Sequence, residues 1–345
     1  MKINFACYQS VMFVHGGPHV AIVETKAHLR RMGVEVGYFD MWGEKESTLD
    51  CDLIQLFGAN LGNFHLARDL KNRNVKFAVM PIFYSRHSAG LIRSTNAIYR
   101  GVRSLVRGVW WDWHFPRDIC YWAEAVMPNT IAEAHLIEKG LCVPKEKIYW
   151  IPNGVSDKFL SADPVLFQKK YGIKDFILNV GHIGPDRKNV LSLIRALNRI
   201  DHPAVIIGQV VSSREAELCL SEAKKNKNLI LIDGFDHNSP LLASAYAACK
   251  VFALPSKFET PGIAALEAGL AGANIVITPH GGTQEYFKDH AEYVNPYSVQ
   301  SIRNGIEKAL NHQKTDALKK YIQENFLWNR IAEKMLEIYR KILTN

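Results

Sequence analysis

Short apolar runs of strand length, each followed by a stretch of helical spacing, recur along the whole 345-residue chain, and that alternation is the tightest constraint on its fold. Strands separated by helices pair in parallel, with the helices covering the faces of the sheet, so a doubly wound α/β fold is expected. In the first half the strand candidates are residues 3–8, 34–39, 53–57, 77–82, 125–127 and 148–151. A first helix is expected over about residues 18–32, and Gly33 stands where a helix-ending glycine belongs.

The rhythm then restarts. Strands are expected at 176–180, 204–207, 229–232, 251–254 and 274–278, with helices near 189–200, 213–226, 240–248 and 261–271. A chain of this length exceeds one ordinary core. Two Rossmann-like domains are therefore expected, residues 1–157 and 158–325, with the joint at the turn-rich Pro152-Asn153-Gly154-Val155-Ser156-Asp157. Leu327, Ile331, Met335, Ile338 and Ile342 mark one last amphipathic helix in residues 326–345. A cleft between two such domains is a natural ligand site.

Composition narrows the class. A hydrophobic share of 48% and a charged share of 22% describe a globular chain and exclude a disordered one. The six cysteines form no CxxC pair and read as small buried hydrophobes of a reducing compartment. The opening residues turn polar at Gln9-Ser10, and no apolar run reaches membrane-spanning length, so a cytoplasmic location is expected. A formal charge of +8 points to acidic partners: nucleotide phosphates, an anionic membrane or nucleic acid.

Chemistry concentrates in loops that follow strands, where open α/β sheets bind ligands. After the strand at 251–254, Glu259 and Glu267 stand eight positions apart across Thr260-Pro261-Gly262. Thr260 as cap and Pro261 at the first helical position are expected to open the helix. Carboxylates there suit the vicinal hydroxyls of a ribose or hexose, and the amides of Gly262 and Ile263 at the helix start suit a phosphate. Taken alone, the pair also fits a cap and a solvated face residue. After the strand at 176–180, the segment from Gly181 through His182 to Arg187, Lys188 and Asn189 combines glycines, cations and a helix start, a plausible phosphate cradle. Its cations fit solvated loop charges as readily. Gly281-Gly282 follow the strand at 274–278, with Glu285 as a candidate hydroxyl acceptor and a capped turn as the plain alternative.

Near the N-terminus, His15-Gly16-Gly17-Pro18-His19 lies between strand and helix. The two histidines have a metal-binding spacing only on a helix, and Gly-Gly-Pro prevents that turn, so no metal site is expected. Further on, Arg86, Arg93, Arg100, Arg103 and Arg107 run without an acidic residue into Trp110, Trp111 and Trp113. Leu91, Ile98, Val102, Leu105, Val106 and Val109 give this stretch an apolar helical face. Three readings stand: a cationic helix face, contact with a membrane or lipid-linked acceptor, and single-stranded nucleic acid.

Together these loops resemble the signatures of retaining GT-B glycosyltransferases of family 4, the glycosyl transferases group 1, in which two Rossmann-like domains face each other across a cleft. Pro255-Ser256 followed by Glu259, Gly262, Glu267, Ala268 and Gly272 is similar to that family's donor motif of two glutamates with seven residues between them, and Ile151-Pro152-Asn153-Gly154-Val155 resembles its interdomain segment. The resemblance implies that Glu267 binds the donor ribose, while Glu259, Gly262 and Ile263 hold the sugar and phosphates. It implies too that Lys188, with Arg187, neutralises the diphosphate, and that Gly16 and Gly17 lie beside the diphosphate and acceptor. Glu259 and Lys188 are the expected catalytic pair. The final helix is expected to pack back on the first domain.

The implied activity is transfer of a sugar from a UDP- or GDP-linked donor to a saccharide or lipid-linked acceptor, with retention and without metal or other cofactor. The location would be cytoplasmic, with peripheral contact to the membrane's inner face through residues 93–113 as an open option. His182 stands where that family usually has an arginine, and no N-terminal catalytic histidine is evident; His87 and His114 are the nearest. A catalytically weakened nucleotide-sugar-binding protein is the alternative, as is a glycosyltransferase acting on nucleic acid, though nucleic acid is not the expected partner.

Overall fold

The computed structural model describes residues 1–12, 16–44, 49–105 and 110–344. The chain divides into two compact units, Met1–Gly154 with Trp328–Asn345, and Val155–Leu327.

The first unit is built on five parallel strands, β1 Lys2–Cys7, β2 Glu35–Tyr38, β3 Leu53–Phe57, β4 Phe77–Met80 and β5 Ala125–Val126, in the order β2-β1-β3-β4-β5. Every residue of β3 and β4 is buried, which is why both read as unbroken apolar runs. Gln55 is the polar exception in β3, and it is satisfied. Its Oε1 accepts from Tyr339 Oη at 2.9 Å, and its Nε2 donates to Leu56 O at 2.9 Å.

Residues 148–151, expected as a sixth strand, form no full ladder. Ile148 makes an isolated bridge to Val126, and Tyr149 N–H and Ile151 N–H donate to the carbonyls of Val126 and Pro128. β5 is only two residues long, and Pro128 and Pro152 lack the amides a longer ladder needs.

The last helix, Trp328–Thr344, buries Trp328, Ile331, Met335, Ile338, Tyr339 and Ile342 in the core of this unit. It begins after the expected residue 326 because Phe326 and Leu327 pair with Val155: Val155 N–H donates to Phe326 O at 2.7 Å. A Cβ at Gly154 would meet the Trp328 ring, so only glycine fits that turn.

The second unit carries six parallel strands: β6 Ile177–Val180, β7 Ala204–Ile207, β8 Leu229–Ile232, β9 Val251–Leu254, β10 Asn274–Ile277 and β11 Ala291–Tyr293. Their order is β11-β10-β9-β6-β7-β8, so the chain winds outward from β6 in one direction and from β9 in the other. Helices leaving β6 and β9 therefore go to opposite faces of the sheet, and the loops at the carboxyl ends of these two strands border the crevice where ligands bind in such folds. Phe159, Phe167, Phe176, Tyr246, Phe252 and Leu266 lead the core on one side.

Three of the six cysteines are buried, but Cys142 is exposed, in a left-handed conformation (φ 58°) that ends a turn and leaves its side chain outside the core. Among the described residues no helix is long and apolar enough to cross a membrane.

Candidate active site

The switch point of the second unit gathers the charged residues. The segment after β6 ends in a 3-10 turn, Asp186–Lys188, followed by Asn189 in the left-handed region (φ 55°). Asn189 is buried, and its amide nitrogen donates to Pro255 O at 2.8 Å and Pro296 O at 2.7 Å. One side chain thus pins the β6 loop to the loop after β9, and Lys257 N–H adds a bond to Arg187 O at 2.9 Å.

The consequence is a cation–carboxylate cluster. Lys188 Nζ lies 2.8 Å from Glu259 Oε1, and Arg187 Nη1 lies 3.3 Å from Glu259 Oε2. Burial of the Glu259 carboxyl favours its neutral form, but the Lys188 and Arg187 charges outweigh it and hold the group below the usual glutamate range. Two cations against one carboxylate leave a net positive charge at the carboxyl end of the sheet. An anion is the matching ligand.

The loop after β10 is stitched to the same residue. Glu259 N–H donates to His280 O at 3.1 Å, and Gly282 N–H donates to Glu259 O at 2.9 Å. Gly281 has φ +96°, and a Cβ there would collide with the Glu259 carbonyl, so this close approach demands glycine.

The helix after β9 opens differently from the expectation that Thr260 caps it and Pro261 starts it. Gly262 is its N-cap, in the left-handed region (φ 85°, ψ 65°), and the helix runs over Ile263–Leu270. No side chain caps it. The sharp turn at Gly262, where a Cβ would stand 3.3 Å from the Ile277 and Leu254 side chains, sets the direction in which the helix starts, and Thr260-Pro261 lie upstream of it. Ile263 and Ala264 in its first turn are half-buried, and their N–H groups donate to no backbone carbonyl among the described residues.

Glu267 sits one turn into that helix and is buried at 4% exposure, against the expectation for a solvated face residue. Its partners are a phenol and an imidazole. Tyr246 Oη lies 2.8 Å from Oε2, and His237 Nε2 lies 2.6 Å from Oε1. Burial and the neighbouring Glu267 charge push the Tyr246 phenol well above its ordinary pKa, so it stays a donor. Lys158 backs His237, with Nζ 2.8 Å from His237 O, 3.0 Å from Asn238 Oδ1 and 3.4 Å from His237 Nδ1. Sequence reasoning missed these three residues. A lone tyrosine among alanines in the helix Pro240–Ala248 was a usable signal, since a buried phenol needs an acceptor; His237 and Lys158 carried none.

The other candidate residues lie elsewhere. His182 is half-buried on the β6 loop, between the bonds that Gly181 N–H and Ile183 N–H give to Ile207 O and Gln209 O. Gly16 caps the helix Gly17–Arg31 of the first unit, with Pro18 in its first turn. His15 falls outside the described residues. His114 is buried, with Nε2 3.2 Å from Asp118 Oδ2 and facing Arg103; burial and the Arg103 and Arg117 charges lower its pKa despite Asp118. His87 is exposed and packs edge-on against Trp113.

The basic stretch does form a helix, Ala89–Leu105, but its apolar stripe faces out. Among its described side chains Ile92, Asn96 and Tyr99 are the buried ones, whereas Leu91, Ile98 and Val102 are 46%, 66% and 39% exposed. Trp110 and Trp111 are exposed as well, and Arg107, Val106 and Val109 lie outside the described residues.

Residues 167–326, which hold every residue of the two glutamate clusters except Lys158, match the family model for glycosyl transferases group 1. The chain carries a glycosyl transferases group 1 domain. It is similar to an uncharacterized glycosyltransferase of Methanocaldococcus jannaschii, 29% identical over 57% of this chain and 55% of that protein. A serotype-specific mannosyltransferase of Escherichia coli is 27% identical over 64% of this chain and 29% of that protein. The match thus spans about half the length of the first relative and less of the second. Among solved structures, the Anabaena protein HepE in complex with UDP superposes with a TM-score of 0.73 at 16% identity, covering 99% of this chain and 100% of that one. This likeness establishes the fold: α/β with two parallel sheets, of the GT-B type.

Proposed function

We propose that the protein is a glycosyltransferase that takes a sugar from a nucleotide-sugar donor bound on the second unit. The observation that carries the reading is the pairing of Lys188 and Arg187 with buried Glu259 beside the uncapped helix start at Gly262, one helical segment away from buried Glu267 with its phenol and imidazole partners. A diphosphate suits the first cluster, and a ribose diol suits the second. In this reading Lys188 and the Ile263 amide stabilise the charge on the departing diphosphate, and no metal ion is required. Glu259 holds the cations in place and borders the sugar; His182 and Arg187 line the phosphate side; Gly16 and Gly17 serve the acceptor side. Retention, a UDP- or GDP-linked donor and a saccharide or lipid-linked acceptor belong to the same proposal. The mannosyltransferase likeness and the UDP held by HepE support it.

The test is a thermal-shift panel of UDP-, GDP- and other nucleotide sugars, followed by hydrolysis and transfer assays with those that stabilise. Stabilisation with turnover is expected; stabilisation without turnover over many acceptors would favour the weakened binding protein, and no shift at all would overturn the reading.

The outward stripe of Leu91, Ile98 and Val102, with Trp110, Trp111 and flanking Arg86, Arg93 and Arg100, supports peripheral contact with an anionic membrane over an ordinary helix face. Replacing the three aliphatic residues by serine should weaken sedimentation with phosphatidylglycerol vesicles about tenfold or more and leave nucleotide binding unchanged. Equal sedimentation of variant and wild type would count against membrane contact.

A further inference from the structure

Glu267 is embedded in a chain of side chains that has one consistent assignment of protons. The carboxylate only accepts, so His237 Nε2 at 2.6 Å must be the protonated nitrogen. The Lys158 ammonium only donates, so His237 Nδ1, 3.4 Å away, must be the acceptor. Lys158 is itself anchored on His237 O and Asn238 Oδ1, and the Phe159 ring meets the imidazole edge-on at 6.1 Å. On the other side, Tyr246 Oη takes one lone pair of Oε2 at 2.8 Å. Among the described residues each carboxylate oxygen thus has one donor and one lone pair left. Two remaining acceptors on a fixed carboxylate match two adjacent hydroxyls.

We propose that His237 and Lys158 are positioning residues that make the site selective for a ribonucleotide, holding Glu267 so that both free lone pairs meet the 2′- and 3′-hydroxyls of the donor. This rests on the reading that Glu267 takes the ribose. Lys158 fixes the tautomer of His237; His237 fixes the carboxylate; Tyr246 prevents the carboxylate from rotating away. Neither His237 nor Lys158 touches the reacting sugar, so their loss acts on recognition and not on the chemical step.

The experiment measures affinity by calorimetry for UDP and GDP, each beside its 2′-deoxy counterpart, in the wild type, His237→Phe, His237→Gln and Lys158→Met. The wild type should prefer the ribonucleotide by about tenfold or more. His237→Phe keeps an aromatic ring but loses the donor, and should bring that preference below about threefold, because the ribonucleotide loses affinity at two hydroxyls and the deoxynucleotide, which keeps only the 3′-hydroxyl, loses less. His237→Gln restores an N–H donor and should recover most of the preference; Lys158→Met should fall between.

A preference unchanged in His237→Phe overturns the proposal and leaves the donor-site reading intact. An equal loss for ribo- and deoxynucleotide also overturns it, since that is the mark of general damage. Tighter ribonucleotide binding in His237→Phe would show that the imidazole occupies the diol's place, against the proposal. Absence of any preference in the wild type would overturn both this inference and the ribose assignment of Glu267.

Discussion

Glu259 and Glu267 are both buried glutamates of one loop–helix segment, yet their surroundings differ in kind. Glu259 lies between two cations, with its backbone tied to the Gly281-Gly282 loop. Glu267 lies between a phenol and an imidazole. A carboxylate flanked by cations spends its charge on holding them, and its contribution to a ligand is indirect: it sets where the surplus positive charge stands. A carboxylate that accepts one bond at each oxygen, from a phenol and an imidazole, keeps spare lone pairs for a ligand. In the proposed reading, the difference between the two environments, more than the spacing of the two acids, divides the candidate site into a phosphate side and a nucleoside side.

Variants can break that division, and the largest effect is expected at Lys188. Lys188→Ala should lower turnover of the donor about 10²–10³-fold, the usual loss when a charge-stabilising donor is removed. Steady-state assays at saturating donor check this, and a variant with wild-type turnover would remove Lys188 from the reaction. Glu267→Ala should weaken nucleotide binding about 30-fold, equivalent to about 2 kcal/mol for lost charge-assisted hydrogen bonds.

Glu259→Gln should act first on stability. It strips the partner from two cations that are partly exposed, so about 2 kcal/mol is expected at neutral pH, below the cost of breaking a fully buried pair. The folded-state pKa of Glu259 lies below its unfolded value. Its stabilisation is therefore fully present above the ordinary glutamate range and is lost as pH falls through the depressed folded pKa. Denaturant titrations from pH 7 to pH 3 should show the gap between wild type and variant closing with acid; a gap that widens would contradict the ion-pair account.

The smallest effect is expected for Tyr246→Phe. It removes one neutral donor from Glu267 and keeps the ring, so nucleotide binding should weaken about fivefold, or about 1 kcal/mol. Calorimetry would show it, and a loss as large as that of Glu267→Ala would mean that Tyr246 meets the ligand itself.

The parallel strands and most helices were legible in the sequence because buried parallel strands read as continuous apolar runs and their loops carry glycine. The two acids, Lys188 and Arg187 were legible for the same reason: they follow strands. What sequence spacing did not carry was three-dimensional. Asn189 looked like the end of a basic loop, but it bridges two distant carbonyls. Thr260-Pro261 looked like a helix start, and the left-handed turn at Gly262 replaced it. Helical periodicity identified the stripe of Leu91, Ile98 and Val102 but gave it no direction, and the buried side proved to be that of Ile92 and Tyr99. His237 reaches Glu267 from the loop after β8, and Lys158 reaches His237 from the short turn Asp157–Phe159, a meeting of segments far apart in sequence that no local pattern encodes.

Whether the Lys188 cluster and Glu267 truly divide the ligand between them comes down to one comparison: calorimetric affinity for a bound nucleoside diphosphate and for its monophosphate, in wild type, Lys188→Ala and Glu267→Ala. Glu267→Ala should weaken both ligands by the same factor, because they share the ribose, whereas Lys188→Ala should weaken the diphosphate and spare the monophosphate. Equal losses in Lys188→Ala, or a monophosphate that Glu267→Ala binds as tightly as the wild type, would contradict that division.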